Sequence, residues 1–137
     1  MLRMGRTLYV GLSTRTNDEG ISQFRKIVSP FGYTIQAVKV SRCLHLKTGA
    51  TSPAEDLLIV NGAWVDPGQF RGLEILQVPD AEPWGANVLA VNGTVLAAAS
   101  VPRTAGLLEA RGLKVQRLGL AELQKAEAGL TCLSILF

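Results

Sequence analysis

The chain is poor in the residue types that advertise a chemistry. It holds one histidine and two cysteines in 137 residues, and aromatic residues make up only 6%. One His and two Cys provide no paired ligand spacing for a structural metal site. Two cysteines in a chain this long do not form a disulfide framework, which points to a reducing compartment. Charge of one sign is also scarce: the net charge is +3, and the Lys and Arg are scattered rather than gathered into a stripe with interleaved aromatics. That argues against a nucleic-acid partner. The N-terminus has no apolar run followed by a small-residue cleavage site. The longest uncharged stretch, Pro83 to Pro102, is interrupted by Gly85, Asn87 and Asn92-Gly93, so it reads as short strands rather than a membrane span. The expectation is a single domain over residues 1–137, soluble and cytoplasmic, with no membrane partner.

What is present is alternation of β-rich runs with short helical patterns. Leu2 to Met4 and Thr7 to Gly11 flank a turn at Gly5 and predict a hairpin. Asn17 is a good N-cap, and Asp18 and Glu19 suit the positive end of a helix. Ile21, Phe24, Ile27 and Val28 form an apolar stripe at helical spacing, ended by Pro30 and Gly32. Tyr33 to Val40 reads as a strand, and Leu44 to Leu46 as a second short one carrying Cys43 and His45 close together. Leu57 to Val60, Asn61-Gly62 and Ala63 to Val65 predict a hairpin with a type I′ turn. Leu73 to Val78 is a strand, and Val88 to Ala99 forms another hairpin about Asn92-Gly93. Pro102 opens a helix that Gly112 closes. Leu113 to Leu118 is a strand, Ala121 to Ala126 a helical turn, and Leu130 to Phe137 a final strand.

Two of these stretches repeat one another. Gly5-Arg-Thr-Leu8 leads through Arg15-Thr16, a helix and a strand to His45. Gly93-Thr-Val-Leu96, 88 residues on, leads through Arg103-Thr104 and similar elements to Cys132. Arg15 to His45 is 30 residues and Arg103 to Cys132 is 29. With the shorter middle stretch there are three units, each too small to bury its own apolar face, so they must share a core. Units packed about one axis would aim the imidazole and the thiol at the same point.

Each candidate has two readings. Cys132 is either a buried, inert thiol in a C-terminal strand or a nucleophile activated by a nearby imidazolium. His45 is either a hydrogen-bonded structural residue or a general acid and base. Arg15, in a loop between strand and helix, is either solvated or placed to hold a carboxylate. Lys125 and Glu127 are surface charges or the rim of a site. Cys43 reads more readily as a packing residue.

Taken in order, Gly11-Leu-Ser-Thr-Arg-Thr-Asn17, Leu44-His-Leu-Lys-Thr-Gly49, Gly85-Ala-Asn87, Pro102-Arg-Thr104 and Leu130-Thr-Cys-Leu-Ser134 closely resemble the dimethylarginine dimethylaminohydrolase family. The resemblance covers essentially the whole chain. It implies an α/β fold, the pentein-type propeller of five ββαβ-like units around a channel, here as a partial ring of about three. It also implies a hydrolase of N-ω-methylated arginine. Cys132 would attack the guanidinium carbon and expel dimethylamine, leaving a covalent thiouronium. His45 would protonate the departing amine and then activate the water that releases citrulline. Arg15 would bind the substrate α-carboxylate, and Glu127 aligns with an acidic position near its amino group. No metal or organic cofactor is implied. Arginine deiminases carry an acidic residue shortly after the catalytic His, where this chain has Lys47, which favours the dimethylarginine branch. An arginine deiminase or amidinotransferase of the same fold, and a non-catalytic module, remain the alternatives.

The chain departs from the family in one respect. Family members have about two further repeats upstream, and these supply carboxylates that grip the guanidinium. Met1 stands where the Val of a Glu-x-Gly-Asp-Val-like segment falls, so the resemblance reads this chain as the C-terminal part of a longer fold. Three units leave apolar faces and strand edges uncovered. The expectation is a homo-oligomer, or pairing with the missing N-terminal repeats.

Overall fold

The structure is a computed structural model, and it describes residues 1–126 and 128–135. Three sheets of three strands each are built on one plan. In the first unit, β1 (Leu2–Met4) and β2 (Thr7–Leu12) form an antiparallel hairpin, α1 (Asp18–Val28) crosses over, and β3 (Thr34–Lys39) returns parallel to β2. A helical turn, α2 (Leu46–Gly49), leads to the second unit. There β4 (Ala50–Ala54) and β5 (Leu57–Val60) form the hairpin and β6 (Glu74–Gln77) the parallel strand, with a 3-10 turn at Pro67–Gln69 in place of a crossover helix. The third unit repeats the first with β7 (Leu89–Val91), β8 (Thr94–Ala98), α3 (Pro102–Glu109) and β9 (Val115–Leu118), followed by the short helix α4 (Ala121–Lys125). The arc of three units is not closed into a ring.

Local chemistry explains most boundaries. Asn17 Oδ1 accepts from the Gly20 N–H at 2.9 Å, and Asp18 and Glu19 at one end of α1 face Arg25 and Lys26 at the other, the charge order that the helix dipole favours. Asn92 and Gly93 both have positive φ, 48° and 71°, as a type I′ turn requires.

Four expectations are corrected. The middle hairpin does not turn at Asn61-Gly62 but at Glu55-Asp56, where Asp56 has φ 58°. Asn61 is buried instead: its Oδ1 accepts from Ala63 N–H and its carbonyl from Trp64 and Val65 N–H, so 61–65 is a tight helical-type turn. The sequence hid β4 because it contains Pro53, which removes a ladder donor; the register shifts between Thr51 and Ala54 to accommodate it. The expected strand at Leu44–Leu46 is replaced by bends and the turn α2, so Cys43 and His45 do not share a strand face. The expected final strand begins as a 3-10 turn, Leu130–Leu133; Leu136 and Phe137 lie outside the described residues. Of the α1 stripe only Ile21 is fully buried, and Ile27 is 64% exposed.

The core follows the period-two pleat of β5, whose four residues are all buried. Leu58 and Val60 point into a cluster with Tyr9, Val38 and Phe70 of units one and two. Leu57 and Ile59 point the opposite way, into a cluster with Val95, Ala97 and Leu108 of units two and three. One strand therefore supplies both inter-unit interfaces, as strands buried on two faces do. Hairpin pairing makes Thr7, Leu57 and Thr94 equivalent, each being the first residue after its turn. The true repeat between units one and three is thus 87 residues, the spacing from His45 to Cys132.

Candidate active site

Each unit ends in a helical turn after its third strand: α2, Pro83–Ala86 and Leu130–Leu133. α2 packs against both of the other two turns. His45 sits in extended conformation immediately before α2, with φ −127° and ψ 141°. Cys132 lies in the Leu130–Leu133 turn, its N–H donating to the Gly129 carbonyl at 3.1 Å. Both line one pocket of about 670 Å³, together with Arg42, Cys43, Trp64 and Trp84. The two indoles meet edge to face, centroids 5.4 Å apart, and form an aromatic wall. His45 is exposed. Cys132 is exposed too, so that thiol is not buried in a C-terminal strand.

Cys43 is in a different environment. It is half-buried, and its thiol contacts the His45 carbonyl at 3.6 Å. Burial pushes the Cys43 thiol above its ordinary pKa, only partly offset by hydrogen bonding with the His45 backbone.

Arg15 is not part of the pocket lining, although the adjacent Thr14 is. Its loop is stitched to the histidine segment: Ser13 Oγ accepts from Arg15 N–H at 3.2 Å and donates to the Leu44 carbonyl at 3.0 Å. The Arg15 backbone is thus fixed beside His45 while its side chain is exposed. Glu127 lies outside the described residues. Lys125 forms an exposed ion pair with Glu122 at 2.8 Å.

Residues behind the pocket lining hold the Cys132 turn in place, and one of them, Asn87, comes from the uncharged run. Asn87 is buried, and its Oδ1 accepts from the Thr131 N–H at 3.1 Å, fixing the residue before Cys132. A Cβ on Gly129 would meet Asn87 Nδ2 at 2.5 Å, so glycine is required there for the Cys132 turn to close on Asn87. Thr51 Oγ1 donates to the Ala86 carbonyl at 2.6 Å and accepts from Val88 N–H at 3.3 Å, bracing Asn87 on both sides. Glu82 is buried and caps α3 from outside the helix. Its carboxylate accepts from Arg103 N–H at 2.8 Å and from Thr104 N–H and Oγ1, both at 2.7 Å. Burial pushes this carboxyl up, but the three hydrogen bonds and the Arg103 guanidinium outweigh it and hold Glu82 below the usual carboxylate range. The sequence signal for Asn87 was a polar side chain inside a long apolar run; Glu82 carried none, because its partners lie some 20 residues on. Among the described residues, no three His, Cys, Asp or Glu side chains gather as a metal-holding group.

No protein-family model matches the chain. It is 31% identical over its whole length to an N(G),N(G)-dimethylarginine dimethylaminohydrolase of Pseudomonas aeruginosa, of which it covers 54%. To the protein of the same name from Streptomyces coelicolor it is 37% identical over 98% of its length, covering 52% of that relative. A solved structure of a mutant of the Pseudomonas enzyme in complex with citrulline superimposes on 99% of this chain with a TM-score of 0.92, covering 53% of that protein. The fold is a pentein fold. The chain is similar to the dimethylarginine dimethylaminohydrolases and spans about half the length of these relatives. This partial pentein has no helix, among the described residues, long and apolar enough to cross a membrane.

Proposed function

We propose that this half-length pentein carries the thiol and imidazole of a hydrolase that cleaves the C–N bond of N-ω-methylated arginine, converting dimethylarginine to citrulline and dimethylamine. The observation that supports this most is the convergence of Cys132 and His45, 87 residues apart, on one pocket. In this reading the Cys132 thiolate attacks the guanidinium carbon. The tetrahedral adduct collapses as His45 gives a proton to dimethylamine, leaving a thiouronium on sulfur. His45 then takes a proton from water, whose oxygen replaces the sulfur to yield citrulline. Arg15 would receive the α-carboxylate, its exposed guanidinium free to turn toward the rim, and Glu127 the α-amino group. The Trp64–Trp84 wall supplies an apolar, water-poor boundary. The unpaired cysteines fit a cytoplasmic setting.

A desolvated guanidinium needs counter-charges to be held against the thiolate. The resemblance assigns those carboxylates to the upstream half of the fold, so the 137-residue chain alone is expected to turn over slowly. Covalent labelling tests the reading without requiring turnover. A haloacetamidine, whose cationic amidine mimics the substrate, should alkylate Cys132 faster than Cys43, and His45→Ala should slow that reaction. Equal rates at the two cysteines, or no effect of His45→Ala, would refute the assignment.

A further inference from the structure

The chain has two tryptophans, and both stand in the wall of the pocket that holds Cys132 and His45. They arrive from different places. Trp64 comes from the turn after β5, and Trp84 from the Pro83–Ala86 turn that leads into the third unit. Both are half-buried. Their ring planes meet at 79°, which makes a right-angled corner rather than a flat stacked surface.

Hydrogen bonds fix this corner to the segments that carry His45 and Cys132. The Trp64 carbonyl accepts from Ser41 N–H at 2.8 Å and from Ser41 Oγ at 3.0 Å, at the start of the stretch that runs to His45. The Trp84 carbonyl accepts from Asn87 N–H at 3.1 Å, and Asn87 in turn holds the Thr131 N–H. Buried Asn61 joins the two. Its carbonyl accepts from Trp64 N–H at 3.1 Å, and its Nδ2 donates to the Pro83 carbonyl at 3.0 Å. The position that the sequence marks as a hairpin turn is therefore the tie between the two indoles.

Among the described residues, no Asp or Glu lines this pocket, and its one permanently charged group is Arg42. A cation that enters meets indole rings instead of a carboxylate. An unmethylated guanidinium, whose N–H groups all need acceptors, is poorly served by such a surface. A dimethylated one has exchanged two N–H donors for methyl groups, which shed water readily and carry part of the charge. Aromatic faces hold cations of that kind.

We propose that the Trp64–Trp84 corner receives the dimethylated nitrogen of the guanidinium and so selects methylated over unmethylated arginine. This rests on the hydrolase reading above and adds to it the surface that recognises the substrate's methyl groups.

Trp64 and Trp84 are the only indoles in the chain, so tryptophan fluorescence of the 137-residue protein reports on the corner directly. The test titrates 1,1-dimethylguanidinium and guanidinium to about 20 mM, a range suited to millimolar affinities. Both ligands carry one positive charge, so Arg42 repels them alike and the ratio of their affinities reads the methyl groups. Dimethylguanidinium should bind more tightly by about fivefold or more, the scale of one well-placed contact with an aromatic face. Trp84→Leu keeps an apolar side chain but no ring; it should abolish that ratio, with Trp64 as the reporter. Trp84→Phe should keep most of it. If Trp84→Leu fails to fold, as judged by circular dichroism, Trp64→Leu makes the same test with Trp84 reporting. Equal affinity for the two cations, no response to either, or a ratio that survives loss of the ring would overturn the proposal. Amidine labelling of the same samples tells its failure from that of the hydrolase reading. A methyl preference without faster labelling of Cys132 than of Cys43 would leave the corner a methylguanidine site and sink the hydrolase reading. Faster labelling of Cys132 without a methyl preference would sink this proposal alone.

Discussion

The Thr131 amide donates to Asn87 Oδ1 across 44 residues of chain, so the turn bearing Cys132 takes its position from the strand lead-in of its own unit. Asn87 Nδ2 and Thr131 Oγ1, both buried, have no hydrogen-bond partner among the described residues, so the bond from Thr131 N–H is what ties the turn to Asn87. Asn87→Ala should therefore move the thiol more than it unfolds the protein. A stability loss of ~1–2 kcal/mol is expected from a buried acceptor removed opposite a backbone N–H. The amidine labelling rate of Cys132 should fall, while that of Cys43 stays unchanged. Parallel loss at both sulfurs would mean that Asn87 serves the fold generally.

Gly129→Ala tests the same contact from the other side. The new Cβ would lie 2.5–2.9 Å from the Asn87 amide group, closer than real Cβ contacts allow, and the backbone on both sides of Asn87 is tied to Thr51. Overpacking of this kind costs ~1–3 kcal/mol. Thermal unfolding should show a lowered midpoint, and an unshifted midpoint would mean the turn can swing away freely.

Glu82 makes the fold acid-sensitive in a defined direction. Its folded pKa lies below its unfolded value, so the carboxylate stabilises fully above the ordinary Glu range. That contribution is lost as pH falls through the unfolded value, near ~4.3, to the depressed folded one. Glu82→Gln should cost ~1–3 kcal/mol at neutral pH, as expected for losing hydrogen bonds to a buried charged acceptor. The gap between the two proteins should close below about pH 4. Denaturant midpoints measured from neutral pH down to that point would show it, and a gap independent of pH would rule out the cap as its source.

Ile59→Ala probes the core between units two and three. The side chain is fully buried among Leu76, Val88 and Ala97. Removing it should cost ~2–5 kcal/mol. The effect should appear in hydrogen exchange of β8 and β9 before β2, because Ile59 faces the third unit and Leu58 the first. Uniform loss of protection would mean that the two clusters unfold as one.

The order of the elements was legible wherever the signal was local. The Asn17 cap, the Asn92-Gly93 turn and the Pro102-to-Gly112 helix all depend on residues within a few positions of each other. The middle unit was misread because Asn61-Gly62 is a good turn dipeptide and Pro53 a poor strand residue; Asn61 instead sends its amide to the Pro83 carbonyl at 3.0 Å. That His45 and Cys132 line one pocket was legible through the repeat. The setting of Arg15 was only half legible: its loop is where the repeat puts it, but its side chain is not in the pocket wall.

By itself, the sequence determined the hydrophobic alternation, most of the caps and turns, and the existence of the repeat, placed one residue too long at 88, because each depends on which side chains stand near one another along the chain. Tertiary structure alone decided which face of β5 meets which neighbour, that Glu82 caps a helix it does not belong to, and that Asn87 holds the cysteine turn. Those contacts join residues distant in sequence, and their strength comes from burial that exists only once all three units have packed together.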